Sequence, residues 1–226
     1  MKMAWADTVE TNPPERKAYN DKVAEIPRKI EAENYDEGGN RFSFYDKDAA
    51  NKGEIYREDA VDVVTLDGAT CNGDACKGYA IGYTEAGEWL EYSVKVAADG
   101  KYGVRANVAT ASETSKIQLL VDGKVLLDTI TIDKVDTTWN VYKEIDIGAA
   151  NLTAGEHILR LVIAGSYVNV DWLEFCEKET CENKTGIRAI APAAVSKAAP
   201  RLRKQGGKLF VEKNGMCFDL TGHRIK

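Results

Sequence analysis

The chain has 226 residues, enough for one domain of ordinary size with appendages or for two small domains. Its net charge of −6 is uneven: residues 184–226 hold ten Lys and Arg against Glu212 and Asp219, a charge of +8, which leaves −14 for residues 1–183. An acidic body disfavours nucleic acid as a partner, because phosphate binding needs clustered basic residues, and no apolar run approaches the roughly 20 residues that span a bilayer.

The N-terminal residues 1–27 contain Asn12-Pro13-Pro14 and mixed charges without strand alternation, which indicates a linker or the end of a preceding domain. The segment IEAENYDEGG that follows alternates and predicts a strand with Glu31 and Glu33 on one side. Two carboxylates at that spacing repel each other unless water screens them or a cation lies between them. The segment is therefore either an exposed acidic edge or part of a calcium site that needs a third carboxylate from another strand.

Residues 41–67 are polar and loop-like, with short strands expected at 55–57 and 60–65. The stretch GYAIGYTEAGEWLEYSVKV, residues 78–96, then ends in a strand whose side chains alternate between two faces from residue 90. Tyr83 lies in the loop before this strand. A rigid strand with an aromatic residue at the mouth of its loop suits the binding of a flat apolar surface.

Two cysteine pairs each enclose four polar residues, Cys71 and Cys76 around NGDA and Cys176 and Cys181 around EKET. Each spacing allows a local disulfide, which would indicate an oxidising, extracytoplasmic setting. Four unpaired thiols are the alternative. Zinc is disfavoured because both histidines are far from the cysteine pairs in sequence.

Beyond residue 97 the chain becomes regular, and Asp99-Gly100 and Asp122-Gly123 predict tight hairpins. His157 alternates with apolar residues, which predicts a hydrogen-bonded core histidine. Further strands are predicted at 102–108, 117–121, 125–132, 139–147, 157–163 and 169–175. With about eight to ten short strands and no convincing long helix, residues 28–181 are predicted to form an all-β antiparallel β-sandwich.

The C-terminal part changes in composition. Residues 182–207 are rich in Ala, Pro and basic residues and are predicted to be a flexible linker. Residues 208–226 predict a hairpin that turns at Asn214-Gly215 and is too small to hold its own core. Its ending, LTGHRIK, resembles C-terminal sorting or attachment modules of secreted enzymes from gut and rumen cellulose degraders; the basic run could instead tether the chain to an acidic surface.

The available chemistry favours a binder. The sequence has no G-x-S-x-G nucleophile elbow and no Walker or dinucleotide phosphate loop. Glu85, Glu88 and Glu91 leave open a small polysaccharide-active enzyme. A structural or adhesive spacer is the third hypothesis.

Four motifs carry a resemblance that covers residues 26–176: IPRKIEAENYDEGG, YAIGYTEAGEWLEYSV, TTWNVYKEIDI and LTAGEHILRLVIAGSYVNVDWLEF. In this order they resemble carbohydrate-binding module family 6. The resemblance implies a jelly-roll, galactose-binding-domain-like sandwich without catalytic activity. It implies binding of plant cell wall polysaccharide, xylan or xylo-oligosaccharides first and other β-1,4-glycans second, and targeting of an attached hydrolase or esterase.

The resemblance also assigns the sugar cleft. It places Tyr83 and Trp139 on the two walls and Asn169 at the base, where pyranose C–H groups would pack on the aromatic rings and the amide would hydrogen-bond hydroxyls. Where family members often have D-I-E, this chain has Asp62, Val63 and Val64, so one polar contact of the cleft is missing here.

A structural calcium is the second implication of the resemblance. Glu31, Glu33 and Asp171 match the family's carboxylate ligands, and the backbone carbonyl of Arg57 is a further one. The module is expected to be extracellular or on the cell surface and monomeric in isolation. Its signal peptide is absent from this chain, since MKMAWADTVE lacks the apolar core of one.

Overall fold

The computed structural model describes residues 15–177, Cys181 and, in the C-terminal part, the strands at 201–205, 208–213, 216–218 and 224–225. The chain divides into two compact units, Met1–Glu182 and Asn183–Lys226. The described part of the first unit is β-structure apart from loops and one short 3-10 turn, Tyr19–Asp21. Within these residues there is no helix with the length and apolar character that crossing a membrane requires.

The described residues of the first unit contain fourteen strands, most of them short. They are β1 Ala24–Ile26, β2 Lys29–Glu31, β3 Phe44–Tyr45, β4 Val63–Thr65, β5 Thr70–Cys71, β6 Asp74–Ala75, β7 Tyr79–Ile81, β8 Trp89–Val96, β9 Gly100–Ala109, β10 Lys116–Val121, β11 Lys124–Thr131, β12 Val141–Leu152, β13 Gly155–Gly165 and β14 Asn169–Cys176.

These strands form two sheets. One has the order β1-β8-β13-β10-β11, with β3 also paired to β8, and the other has the order β4-β7-β14-β9-β12-β5-β6, with β2 also paired to β14. Neighbouring strands are antiparallel in both sheets except β1 beside β8 and β5 beside β12, which are parallel. The predicted all-β antiparallel sandwich is therefore confirmed.

The core lies between the sheets and follows the alternation of the strands. On β8, Leu90, Tyr92, Val94 and Val96 are all buried, as their period-2 spacing predicts. They share one hydrophobic cluster with the inward side chains of the opposite sheet, among them Val104, Ala106, Val108, Leu173 and Phe175. Removing these apolar side chains from water supplies the main driving force for closing the two sheets.

One of the two predicted hairpins is confirmed and the other is wrong. Asp122 and Gly123 both have positive φ and join β10 to β11, with Val121 opposite Lys124. Asp99-Gly100 joins no hairpin, because β8 and β9 belong to different sheets. A turn dipeptide reports only the local backbone, so the sequence could not show that the chain changes sheets here.

Part of the segment that the sequence predicted to be a linker, residues 1–27, belongs to the sandwich. Residues 24–26 form β1 and pair with β8, and Arg16 makes ion pairs with Asp36 and Glu91. The structured part therefore starts before the predicted boundary at residue 28. The pattern of residues 15–27 gave no strand signal, because β1 is only three residues long.

Three further predictions on secondary structure need correction. Residues 55–57 are irregular, with bends at 55 and 56, and form no strand, while the strand predicted at 60–65 is reduced to β4. Trp139 lies in the loop before β12 rather than inside that strand. His157 is hydrogen-bonded as predicted, to Asp122 at 2.7 Å and to the Thr153 carbonyl at 2.9 Å, but it is half-buried near the start of β13 and does not lie in the core.

A buried cation on β9 contributes to stability. The Arg105 side chain donates to Glu174 on β14 at 2.6 Å and to Glu144 on β12 at 2.8 Å. Removing one partner of a buried ion pair leaves the others uncompensated, so Arg105→Ala should lower the free energy of unfolding by about 3 kcal/mol. Urea unfolding measures this effect, with the exposed Lys143→Ala on the neighbouring strand as a control that should change it by less than about 0.5 kcal/mol. An equal effect of the two substitutions would contradict the prediction.

The second unit contains a separate four-stranded antiparallel sheet. Its strands are β15 Arg201–Gln205, β16 Lys208–Lys213, β17 Met216–Phe218 and β18 Arg224–Ile225, paired in sequence order. Lys213 lies opposite Met216, as expected for the predicted hairpin, although its turn residues Asn214-Gly215 lie outside the described residues. β15 falls within the predicted linker, so the sheet is larger than the hairpin expected there.

Candidate functional site

A cavity of about 630 Å³ opens at the loop edge of the sandwich, a volume typical of a site for a small ligand. Its lining includes all three side chains that the sequence assigned to a sugar cleft. Tyr83 and Trp139 are exposed, with 56% and 44% of their surfaces accessible, whereas Asn169 is buried at the base. Residues 83, 139 and 169 are far apart in sequence, and the fold brings them to one place.

Tyr83 is presented by the loop between β7 and β8. The preceding Gly82 lets this loop lie close to β4, since a Cβ there would stand 2.8 Å from a methyl group of Val64. The same Cβ would come within 3.4 Å of the Asn169 amide oxygen. A residue without a side chain is therefore required where the aromatic wall meets the base.

Trp139 is presented by the loop that leads into β12, and a short hairpin supports this loop. Thr70 on β5 donates its N–H to the carbonyl of Asn140 at 2.8 Å, and the Asn72 N–H reaches the carbonyl of Tyr142 at 3.0 Å. We call residues 69–76 the cystine hairpin, because a disulfide between Cys71 and Cys76 closes it. This hairpin contributes Ala69 to the cavity lining.

Both predicted disulfides are present. Cys71–Cys76 and Cys176–Cys181 have Cα–Cα distances of 5.2 and 5.3 Å. The alternative of four unpaired thiols is therefore excluded in this structure. Such bonds persist in oxidising compartments, which makes an extracellular location compatible with the structure.

The base of the cavity has a fixed amide. Asn169 donates from Nδ2 to the Tyr142 hydroxyl at 3.3 Å, and this leaves its Oδ1 beside Gly82. Burial raises the pKa of Tyr142, so its hydroxyl stays protonated. Tyr142 had no role in the sequence-based prediction, because its place in β12 indicates a core residue.

Lys52 also lines the cavity, but its charge is compensated. Its ammonium group lies 5.9 Å from the centre of the Tyr83 ring. The same group forms a hydrogen-bonded ion pair with Asp48 and lies 3.7 Å from Asp62. The hydrogen bond to Asp48 raises the pKa of Lys52, which keeps it charged and paired. The cavity therefore offers little net positive charge to an anionic ligand.

The three glutamates considered for catalysis serve other purposes. Glu91 is buried and paired with Arg160 at 2.6 Å, on the side away from the core. Glu88 accepts hydrogen bonds from the backbone N–H groups of Lys47 and Glu85. None of the three glutamates is among the described residues that line the cavity. The geometry therefore provides no carboxylate pair across the cleft.

The predicted calcium ligands lie near one another beside β14. Glu31 ends β2 and is opposite Trp172, while the Ala32 N–H donates to the Asp171 carbonyl at 2.8 Å. Glu33 lies in the turn after β2, not on a strand as predicted. Burial, followed by the charges of the neighbouring carboxylates, raises the pKa of Glu33 to about 8, and burial raises that of Asp171 to about 6.

Two observations test whether this group suits a hard cation. One carboxylate oxygen of Glu33, Oε2, is buried without a hydrogen-bond partner, and a cation is one kind of partner that would satisfy such an acceptor. Yet within residues 15–177 and 181 no three acidic, histidine or cysteine side chains converge closely enough to hold an ion alone. Backbone carbonyls would have to complete the set. The Arg57 carbonyl accepts a hydrogen bond from Asn51 at 3.1 Å and keeps a second lone pair.

An all-β sandwich with solvent-exposed aromatic side chains around an amide-floored cavity defines a small ligand-binding module. Residues 59–177 match the sequence model described as carbohydrate binding module (family 6). The chain belongs to that family, whose members bind carbohydrate and are not catalytic.

Similar proteins include one xylanase and two family 6 modules of known structure. Over 100 residues the chain is 37% identical to endo-1,4-β-xylanase A of Thermoclostridium stercorarium; the match covers 43% of this chain but only 15% of that enzyme. A β-1,3-glucan-binding family 6 module from Bacillus halodurans superposes with a TM-score of 0.50 at 20% identity, over 69% of this chain and 99% of that module. A family 6 module from Clostridium stercorarium, solved with cellobiose, gives 0.49 at 26% identity, over 70% and 98%.

One exposed aromatic residue of the cavity was missed by the sequence-based reading. Tyr167 lines the same cavity and has 55% of its surface accessible. Tyr167 follows Ser166 and comes just before β14, as an ordinary turn residue would. Its sequence neighbours therefore give only a weak indication of a binding role.

Proposed function

We propose that the cavity binds β-1,4-linked plant polysaccharide, with xylan or xylo-oligosaccharides first, between Tyr83 and Trp139. The observation that carries this proposal is the pair of exposed aromatic side chains beside the buried amide of Asn169. Aromatic faces pack on the C–H groups of a pyranose ring, and the amide offers an acceptor and donors to hydroxyls. Water solvates exposed rings poorly, so covering them with a sugar is favourable.

The charges near the cavity support a neutral glycan. Lys52 is paired with Asp48 and Asp62, so a uronate would have to compete with two carboxylates for the ammonium group. Val64 lies where many family members have an acidic residue, which gives the floor an apolar surface. Xylose has no exocyclic hydroxymethyl group, so it needs fewer hydrogen-bond partners at an apolar surface than glucose does. The similarity to part of a xylanase supports the same choice.

A ligand panel on the isolated chain tests this proposal. Isothermal titration with xylohexaose, cellohexaose and laminarihexaose should give the highest affinity for xylohexaose and measurable affinity for cellohexaose. Tighter binding of laminarihexaose than of both others would overturn the linkage preference. The absence of binding to all three would favour the alternative of a structural or adhesive spacer.

We also propose that calcium binds beside β14, held by Glu31, Glu33 and Asp171 with the Arg57 carbonyl. The unpaired Glu33 oxygen supports this set. The proximity of the three carboxylates supports it too, since, besides burial, the charges of neighbouring carboxylates contribute to raising the pKa of Glu31 and of Glu33. Calcium prefers six to eight oxygen ligands from carboxylates, carbonyls and water, which these groups can provide. Its role would be structural, because it would tie the turn after β2 to β14.

We propose that the module acts by proximity. Attached to a hydrolase or esterase, it would raise the concentration of that enzyme at its polymer without chemistry of its own. Two disulfides support an extracellular setting, and a monomeric module would suffice for this role. The basic C-terminal unit would then serve sorting or attachment, as its LTGHRIK ending suggests.

A further inference from the structure

Tyr167 places a third exposed aromatic ring on the cavity that Tyr83 and Trp139 line. More than half of its surface, 55%, is accessible, so core packing does not explain why a large ring stands there. It lies in the short loop between β13 and β14, at the edge of the sandwich where the β7–β8 loop carries Tyr83. The position suits contact with a ligand.

The backbone at Tyr167 is in a conformation that side chains disfavour. Its φ is +71°, and Tyr83 likewise has a positive φ of +48°. Residues with a Cβ rarely adopt this left-handed region, and they do so mainly where the surroundings fix it, often at binding sites. Two exposed tyrosines on one cavity share this costly geometry, although neither gains from burial. The backbone conformation at these two positions sets the direction in which each ring is presented.

Thr84 links the two tyrosine loops directly. Its carbonyl accepts the Tyr167 N–H at 2.9 Å, while its hydroxyl donates to the Val168 carbonyl at 2.8 Å and accepts the Val168 N–H at 3.0 Å. Thr84 follows Tyr83 in sequence and is buried. One residue thus fixes the loop of Tyr167 against the loop of Tyr83, through its backbone carbonyl at Tyr167 and its hydroxyl at Val168.

The carbonyl group of Tyr167 is held in place as well. It accepts hydrogen bonds from the hydroxyls of Thr110 at 2.7 Å and Ser115 at 2.9 Å. With the Thr84 contacts, both polar backbone groups of Tyr167 are held by buried partners. The strained conformation is therefore over-determined, and the exposed ring is held in place before any ligand arrives. Such preorganisation lowers the entropy that binding must overcome.

We propose that Tyr167 is a third sugar-contacting residue of the cleft and that Thr84 is the positioning residue that sets its place relative to Tyr83. This inference rests on the proposed glycan-binding function. It adds a third aromatic surface to the two walls, which suits a ligand longer than one sugar ring. A β-linked oligosaccharide is the class of ligand that could use all three surfaces.

Tyr167→Gly separates binding from folding. Glycine adopts positive φ without strain, so the melting temperature should stay the same or rise, while affinity for xylohexaose should fall about ten-fold because one stacked contact is lost. Tyr167→Phe should keep affinity within about two-fold, since the ring face remains. The matched control is Phe42→Ala, an equally exposed aromatic residue outside the cavity lining, which should not change affinity. Unchanged affinity in Tyr167→Gly would overturn the inference.

Thr84 is tested with both rings left in place. Thr84→Val removes the hydroxyl at nearly constant volume and should weaken xylohexaose binding several-fold, whereas Thr84→Ser should restore it. If Thr84→Val binds like the unaltered chain at a temperature where both are folded, the positioning role is wrong. Loss of binding in Trp139→Ala together with intact binding in Tyr167→Gly would reject this inference alone. A chain that binds no glycan would reject the proposed function and this inference with it.

Discussion

Trp139→Ala is expected to weaken xylohexaose binding by about 100-fold or more, equivalent to about 2.7 kcal/mol. Trp139 contributes a large ring to one wall of the cavity, and 44% of its surface is exposed in the free chain. Covering this ring with a sugar removes apolar surface from water, and alanine cannot replace that contact. Isothermal titration measures the change directly.

The same exposure predicts that folding will be unaffected. Trp139 lies in a loop before β12 and is not part of the buried clusters, so the melting temperature of Trp139→Ala should stay within about 2 °C. Trp139→Phe should recover part of the affinity, since a smaller aromatic face remains. Phe42→Ala controls for the general loss of an exposed aromatic residue. Full affinity in Trp139→Ala would exclude the assigned cleft.

The proposed calcium site predicts the largest effect on stability. Chelation should lower the melting temperature at pH 8, and added calcium should restore it. An ion present at 1,000 times its dissociation constant stabilises the folded state by about 4 kcal/mol. Thermal unfolding with and without chelator, in the same buffer, measures this difference.

The pH dependence gives a second readout with a defined sign. Without metal, burial raises the pKa of Glu33 from 4.5 to about 8, so the folded chain retains a proton that the unfolded chain releases. The contribution of Glu33 to the free energy of unfolding is therefore complete below pH 4.5, and it is lost as the pH rises towards 8. Calcium needs the ionised carboxylate and would offset that loss. The stabilisation by calcium should therefore grow between pH 5 and pH 8.

Glu33→Gln is the matched control for both readouts. The amide is isosteric and cannot titrate, so the chelated variant should lose the decline in stability between pH 5 and pH 8. Its response to calcium should also shrink, because one charged ligand is missing. If chelation leaves the melting temperature of the unaltered chain unchanged at pH 8, Glu31, Glu33 and Asp171 are not metal ligands.

Much of the sandwich could be predicted from alternation alone. Leu90, Tyr92, Val94 and Val96 fall on one face of β8, and the structure buries all four. Period-2 spacing is a property of the strand itself, so it survives without knowledge of its neighbours. The cysteine pairs were predictable for the same reason, since each disulfide closes only a short local loop.

Other features depend on contacts between distant segments and were not predictable. The change of sheet after Asp99 depends on which strands pair, not on the turn itself. β1 is too short for a pattern, and its partner β8 is about seventy residues away. Tyr167 became a candidate only once its backbone conformation and its bond to Thr84 were visible. The pattern of residue types in a sequence predicts neither which strands pair nor which residues have a positive φ.

The resemblance to a known family carried most of the site prediction. It pointed to Tyr83, Trp139 and Asn169, and the structure brings these three to one cavity. It did not indicate the support behind them. Tyr142 hydrogen-bonds Asn169, the cystine hairpin bonds to the backbone beside Trp139, and Thr84 joins the loop of Tyr83 to Val168. Residue types alone do not indicate these hydrogen bonds.

The cystine hairpin has a consequence for how such modules can diversify. It supports the Trp139 loop through backbone hydrogen bonds at Thr70 and Asn72, and its disulfide closes within the same hairpin. The Asn72 side chain adds a hydrogen bond from the Glu144 N–H at 3.1 Å, and Gly73 has a φ of +95°. The exposed side chains of β6, Asp74 and Ala75, can therefore vary without loss of this support. A library that randomises these two positions, with Asn72 and Gly73 kept, would alter the surface of the hairpin while the sandwich stays intact. The hairpin is in this sense an exchangeable cassette, through which selection could change ligand preference.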